Sequence, residues 1–127
     1  MVDLTKDCGM KWFKPSEFRK ACPSCDWTDM EQSFLAKLDA AREKAGIPFV
    51  INSAFRSKEY ELQKGRTGSS SHCKGVAVDL RCSCSSCRFA IVSAAIATNI
   101  HRIGIGKNFI HLDDDDSKPS GIWLYAD

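Results

Sequence analysis

The sequence predicts an α+β fold in one domain, a small antiparallel sheet with helices packed on it. Three observations carry that expectation. Apolar residues recur at helical spacing in two stretches, Phe34-Leu35-Leu38-Ala41-Ala45 and residues 89–100. Around them lie short apolar or alternating runs at 49–51, 76–81, 102–105, 109–113 and 122–125, which read as strands. The chain of 127 residues, 43% of them hydrophobic, can bury one real core and has the size of one domain.

The elements follow in order. A segment at about 1–27 mixes aromatics, charges and thiols, with a helical turn around Pro15-Ser16-Glu17-Phe18. Thr28-Asp29-Met30-Glu31 fits a capping box, in which Thr28 and Glu31 satisfy free backbone donors at a helix start. Gly46-Ile47-Pro48 ends that helix. Residues 49–51 read as a buried strand, and 57–64 as a second short helix stopped by Gly65. Arg66-Thr67-Gly68-Ser69-Ser70-Ser71 is small and polar, hence a loop, and it leads into His72. Alternation along 76–81 puts Ala77 and Asp79 on one face and Val76, Val78 and Leu80 on the other. The Ala- and Ile-rich stretch 89–100 reads as a mostly buried helix, followed by the last three strands. No repeat or linker interrupts residues 1–127, so a single domain is expected.

Composition narrows the function classes. A net charge of +2 gives no argument for nucleic acid as a partner. No window approaches the ~20 apolar residues of a membrane span, so membrane insertion is not expected. The start, Met-Val-Asp-Leu-Thr-Lys-Asp-Cys, lacks the basic and apolar regions of a signal peptide. The expectation is a protein made in the cytoplasm, which something else must deliver to any target beyond the membrane.

Chemistry concentrates in His72, Asp79 and His111. His72 leaves a loop, Gly75 lets the chain turn, and Asp79 lies on the next strand, so the turn can bring the two side chains together. Period-two alternation puts Phe109, His111 and Asp113 on one face of a later strand. Imidazole nitrogen and carboxylate oxygen are good zinc ligands, and three protein ligands leave a fourth position open. Zinc so bound lowers the pKa of its water toward ~7, and a nearby carboxylate can serve as general base. Spacing alone leaves the plainer reading open, a structural histidine and a turn-capping aspartate.

The surrounding pattern is more specific. Ser70-x-His72-x-x-Gly75-x-Ala77-x-Asp79, with His111-x-Asp113 downstream, resembles the M15 zinc peptidases. These are D-Ala-D-Ala carboxypeptidases and related phage and bacterial peptidoglycan endopeptidases. Ser53-Ala54-Phe55-Arg56-Ser57 resembles the arginine segment of that family. Arg102-Ile103-Gly104-Ile105-Gly106 ahead of Phe109-Ile110-His111-Leu112-Asp113 resembles its compact branch. The resemblance implies His72, Asp79 and His111 as ligands of a catalytic zinc. It implies Arg56 as the group that binds a substrate carboxylate or carbonyl, and Ser70 as a supporting hydrogen-bonding residue. The plainer role for Arg56 is a surface salt bridge with Glu59 or Glu61.

One position departs from the family pattern. Several M15 enzymes carry a catalytic Glu or Asp three residues before the last histidine, where this chain has Asn108. Asn cannot take a proton. Asp113 is then the candidate general base; its other reading is a partner that orients His111. The resemblance further implies a peptidoglycan stem peptide as substrate, cut beside a D-amino acid. With the expected monomer and the missing export signal, it fits an endolysin released by a holin or carried on a virion. Two alternatives stand beside it. One is a zinc-binding module that has lost catalysis, as the Hedgehog signalling domain of the same wider fold suggests can happen. The other is a virion structural component in which metal and cysteines serve stability.

Seven cysteines, an odd number, leave at least one thiol over in any monomer. Cys22-Pro23-Ser24-Cys25 and Cys84-Ser85-Ser86-Cys87 can together form a four-thiolate structural zinc site, a second zinc beside the catalytic one. Disulfides and unconnected thiols are the other readings. Neither pair is expected to act as a redox motif, because neither is read as opening a long helix after a strand. Cys73 is read as a buried small residue. Asp114, Asp115 and Asp116 read as a strand end leaving into solvent, and Trp123 and Tyr125 as core rather than as the lining of a groove.

Overall fold

Strand pairing fixes the positions of Asp79, His111 and Asp113 in this protein. The computed structural model describes residues 10–19, 22, 25, 27–66 and 70–126. Five strands, β1 (Ile51–Ser53), β2 (Ala77–Arg81), β3 (Arg102–Ile105), β4 (Phe109–Asp113) and β5 (Gly121–Leu124), form one sheet in the order β1-β2-β4-β3-β5. Three helices accompany it, α1 (Gln32–Ala45), α2 (Lys58–Gln63) and α3 (Ser85–Ala97). The α+β class is as expected. The sheet is mixed rather than purely antiparallel, because β5 returns parallel to β3 while the other pairs run antiparallel.

Period two divides the sheet into an apolar and a polar face. Val78, Leu80, Ile103, Ile110 and Leu112 are fully buried and share one cluster with Phe34, Leu35, Leu38 and Ala41 of α1 and Ile91, Ala94 and Ala95 of α3. Each such Leu or Ile contributes about 1.5–3 kcal/mol by leaving water. The opposite face carries one row across four strands. Asp79 pairs with His111, His111 with Gly104, and Gly104 with Trp123. The next row pairs Ala77, Asp113 and Arg102.

Several element boundaries differ from the sequence expectation. Residues 27–29 form a 3-10 turn, and α1 begins after Glu31, whose side chain caps nothing. Burial of Trp27 and Met30 in the core holds that segment, and the Glu31 amide bonds the Gly75 carbonyl instead (2.9 Å). The expected stop at Gly46 is present, with φ 68°. The first strand runs over Ile51–Ser53 with a register irregularity inside it, and Phe49 packs in the core before it. Helix α3 starts at Ser85, four residues early, and leaves Phe89 (76%) and Ile96 (52%) exposed. Of the early segment, residues 1–9 with Cys8 lie outside the described residues, as do 67–69 of the polar loop.

Candidate metal centre

A 3-10 turn, Ser71–Lys74, delivers His72. Gly75 ends it at φ 74°, a conformation that disfavours a side chain. A Cβ there would also meet the Asp29 carbonyl oxygen and lie 3.1 Å from the Met30 Cα, so the turn rests against the entry to α1 through glycine alone. Two further contacts tie the turn to the loop after β1. The Arg56 amide donates to the His72 carbonyl (3.3 Å), and His72 Nδ1 lies 2.7 Å from the Ala54 carbonyl. A carbonyl only accepts, so Nδ1 carries the proton and Nε2 keeps its lone pair.

Asp79 Oδ1 lies 3.4 Å from His72 Nε2 and 3.0 Å from His111 Nδ1. The other nitrogen of His111, Nε2, is 2.6 Å from Asp113 Oδ2. Asp113 has no exposed surface, and its Oδ1 accepts from Arg102 Nε (2.8 Å) and the Asp115 amide (3.0 Å). A carboxylate so placed holds the proton on Nε2 and turns the Nδ1 lone pair toward Asp79. Burial disfavours ionised Asp79 and Asp113, but it is outweighed by the histidines at Asp79 and by His111, the Asp115 amide and Arg102 at Asp113. Asp79 therefore stays well below the usual carboxylate range, and Asp113 is lowered too. His111, also buried, is pushed up by the same two carboxylates.

One donor atom from each of His72, Asp79 and His111 falls within 4.8 Å of the others. Two imidazole nitrogens and one carboxylate oxygen suit zinc, with room for a fourth ligand. The donor set fits the metal. It is the one group of this kind among the described residues.

The three donors open into a cavity of about 310 Å³. Arg56 borders it, with NH2 3.6 Å from Asp79 and NH1 3.6 Å from Glu61. The salt bridge weighed for Arg56 is therefore present, but it is buried at the site rather than on the surface. Glu61 is 1% exposed and also receives Arg66 (2.7 Å) and the Ser70 hydroxyl (3.0 Å). Ser70 thus reaches Arg56 through Glu61. Burial alone would raise the Glu61 carboxyl; Arg66, Ser70 and Arg56 together hold it below 4.5.

Trp123 and Tyr125 border the cavity instead of filling the core. Their rings stand 5.6 Å and 6.4 Å from that of His111. Gly104 makes room for them, since a Cβ there would lie 2.6 Å from Trp123 Nε1. Arg102 stacks on Trp123 (4.7 Å) while binding Asp113. Glu61 and Arg102 were not singled out as members of the site from sequence. Arg102 was detectable, because the 102–105 and 109–113 strands form a tight hairpin that sets it opposite Asp113.

Other expectations are corrected. Asp115 is buried, not solvated, and accepts from Ser71, Lys74 and Ser117, while Asp114 pairs with Lys37. Cys73 is half-buried beside the Ser70 hydroxyl. The four cysteines offered for a structural zinc do not assemble. Cys22 and Cys25 are joined as a disulfide, which leaves neither a thiolate, and Cys84 and Cys87 pair with each other (2.8 Å). No described helix is long and apolar enough to cross a membrane.

Residues 11–113 match the family model of peptidase M15. That span includes the three candidate metal donors, Arg56, Ser70 and Asp113. No curated protein matches the chain.

Proposed function

The chain belongs to the M15 peptidase family, and on that premise we propose that it is a zinc hydrolase of peptidoglycan stem peptides, cutting beside a D-amino acid. The observation that carries this reading is the convergence of His72, Asp79 and His111 at the floor of a cavity bordered by Arg56. When bound, zinc polarises a peptide carbonyl and lowers the pKa of water at the open position.

The chain's own groups do the rest. Arg56 spends one amino group on Glu61 and one on Asp79, and the other N–H groups of its fork remain for a substrate carboxylate or carbonyl. Ser70 and Glu61 are positioning residues that fix that guanidinium. Trp123 and Tyr125 offer flat apolar walls to a stem peptide, with Arg102 held against Trp123. Tyr125, held protonated by burial and by the charges of Asp79 and Asp113, can donate a hydrogen bond but not accept a proton.

Asp113 is read here as a positioning residue for His111, not as the base. Its oxygens are engaged by His111, Arg102 and the Asp115 amide, and none of it is exposed. Asn108 sits exposed in the β3–β4 turn with its carbonyl on the Cys82 amide. The carboxylates bordering the cavity are then Asp79, a ligand, and Asp113. This favours a second reading, a zinc-binding module of the same fold without turnover. The first reading extends to a monomeric endolysin acting on the bacterial wall.

Release of new amines from purified peptidoglycan, with the zinc-loaded protein and its His72→Ala variant, tests the proposal. Release by the parent and not by the variant is expected. Equal release by both removes the metal centre from the reaction. No release by either favours the binding module.

A further inference from the structure

Cys84 follows β2 by three residues and serves as the N-cap of α3, a helix of 13 residues. The pair Cys84-Ser85-Ser86-Cys87 therefore does open a long helix after a strand, contrary to the sequence expectation. The two sulfurs stand 2.8 Å apart. Closure to a disulfide length needs a movement of only about 0.8 Å, within reach of side-chain rotation. Cys84 is exposed and Cys87 half-buried, and both are free thiols. We propose that Cys84 and Cys87 form a redox-active dithiol, separate from the metal centre, that exchanges with small-molecule disulfides.

The surroundings distinguish the two thiols. Cys84 Sγ faces the Cys87 thiol, the Ser86 hydroxyl (3.5 Å) and the Cys87 amide (3.4 Å), all at the positive end of a helix. These contacts bring the Cys84 thiol down to about 7, while Cys87, facing the ionised Cys84, is raised. Cys82, the third thiol nearby, is buried and pushed up by that burial. Arg88, the next residue after Cys87, has its guanidinium held by the Lys107 carbonyl (2.9 Å).

The exchange balances without another reagent. The Cys84 thiolate attacks one sulfur of a disulfide such as glutathione disulfide; that S–S bond breaks, and one glutathione leaves as thiolate. Cys87 then gives up its proton and attacks the Cys84 sulfur, releasing the second glutathione. Two protein thiols become one disulfide, and one small disulfide becomes two thiols.

The test equilibrates the full chain with glutathione and glutathione disulfide, quenches in acid, alkylates, and maps each cysteine by mass spectrometry. Expected is paired loss and return of Cys84 and Cys87 as the ratio changes. Cys87→Ser should trap glutathione on Cys84 about tenfold faster than Cys84→Ser traps it on Cys87. Three results would overturn the proposal. The two thiols stay alkylatable at every ratio, or the trapping rates are equal. In the third, both resist iodoacetamide until a chelator is added, which would make them metal ligands.

Discussion

Asp113→Asn separates the two roles that a carboxylate beside a metal-binding histidine can play. In the parent, Asp113 Oδ2 lies 2.6 Å from His111 Nε2, and Oδ1 holds Arg102 and the Asp115 amide. The amide oxygen of Asn can keep the contacts to Arg102 and to the backbone. Its NH2 then meets Nε2, and a donor there drives the imidazole proton to Nδ1, the nitrogen that faces Asp79. Zinc must displace that proton. The lost bond is charge-assisted and worth about 1.5–3 kcal/mol, which at ~1.36 kcal/mol per tenfold is about 10- to 150-fold in affinity. Outer partners of metal-bound histidines typically contribute 10–100-fold, in agreement. Competition for zinc against a chromogenic chelator at neutral pH reads the effect, with circular dichroism as the control for folding. Unchanged zinc affinity would refute the orienting role. Unchanged affinity with lost turnover at saturating zinc would assign Asp113 to proton transfer.

Glu61→Gln removes the acceptor shared by Arg56, Arg66 and Ser70. Because the folded Glu61 carboxyl lies below 4.5, its contribution is full above that value and is lost as the pH falls through the lower folded value. The melting temperatures of parent and variant should differ most near neutrality and converge in acid; a constant difference would contradict this. Gly75→Ala combines a left-handed backbone with a backbone clash at the α1 entry, an expected loss of about 2–5 kcal/mol in denaturant melts. A loss below ~0.5 kcal/mol would show that the turn is not seated as described. Leu112→Ala, in the fully buried row beneath His111, should lose about 2–5 kcal/mol. Chelation should stop hydrolysis and leave the helical signal intact, because the core cluster does not include the metal donors. Unfolding on chelation would favour a structural metal.

The sequence made the site's floor legible because period-two alternation is a strong constraint. Asp79 and His111 fell on predicted strand faces, and the structure pairs them directly. His72 was legible through its motif, with Gly75 as the required turn. What stayed hidden depends on contacts distant in sequence. Nothing local announces that Glu61 is buried, since its three partners come from two loops. Trp123 and Tyr125 read equally well as core, and only the parallel return of β5 beside β3 puts their rings over Gly104. The capping box failed for a similar reason. Burial of Trp27 and Met30 and the Gly75 carbonyl govern the entry to α1, not the local Thr28 and Glu31 side chains. The early start of α3 at Ser85 is hidden because apolar periodicity begins only at Phe89, whereas the helix is capped by the Cys84 thiol.

The measurement closest to the central claim is the zinc content of the purified protein and of His72→Ala, Asp79→Ala and His111→Ala, by elemental analysis. The account predicts about one zinc per chain in the parent and little or none in each variant. A parent that binds no zinc, or three variants that all keep it, would contradict the assignment of these residues as the metal centre.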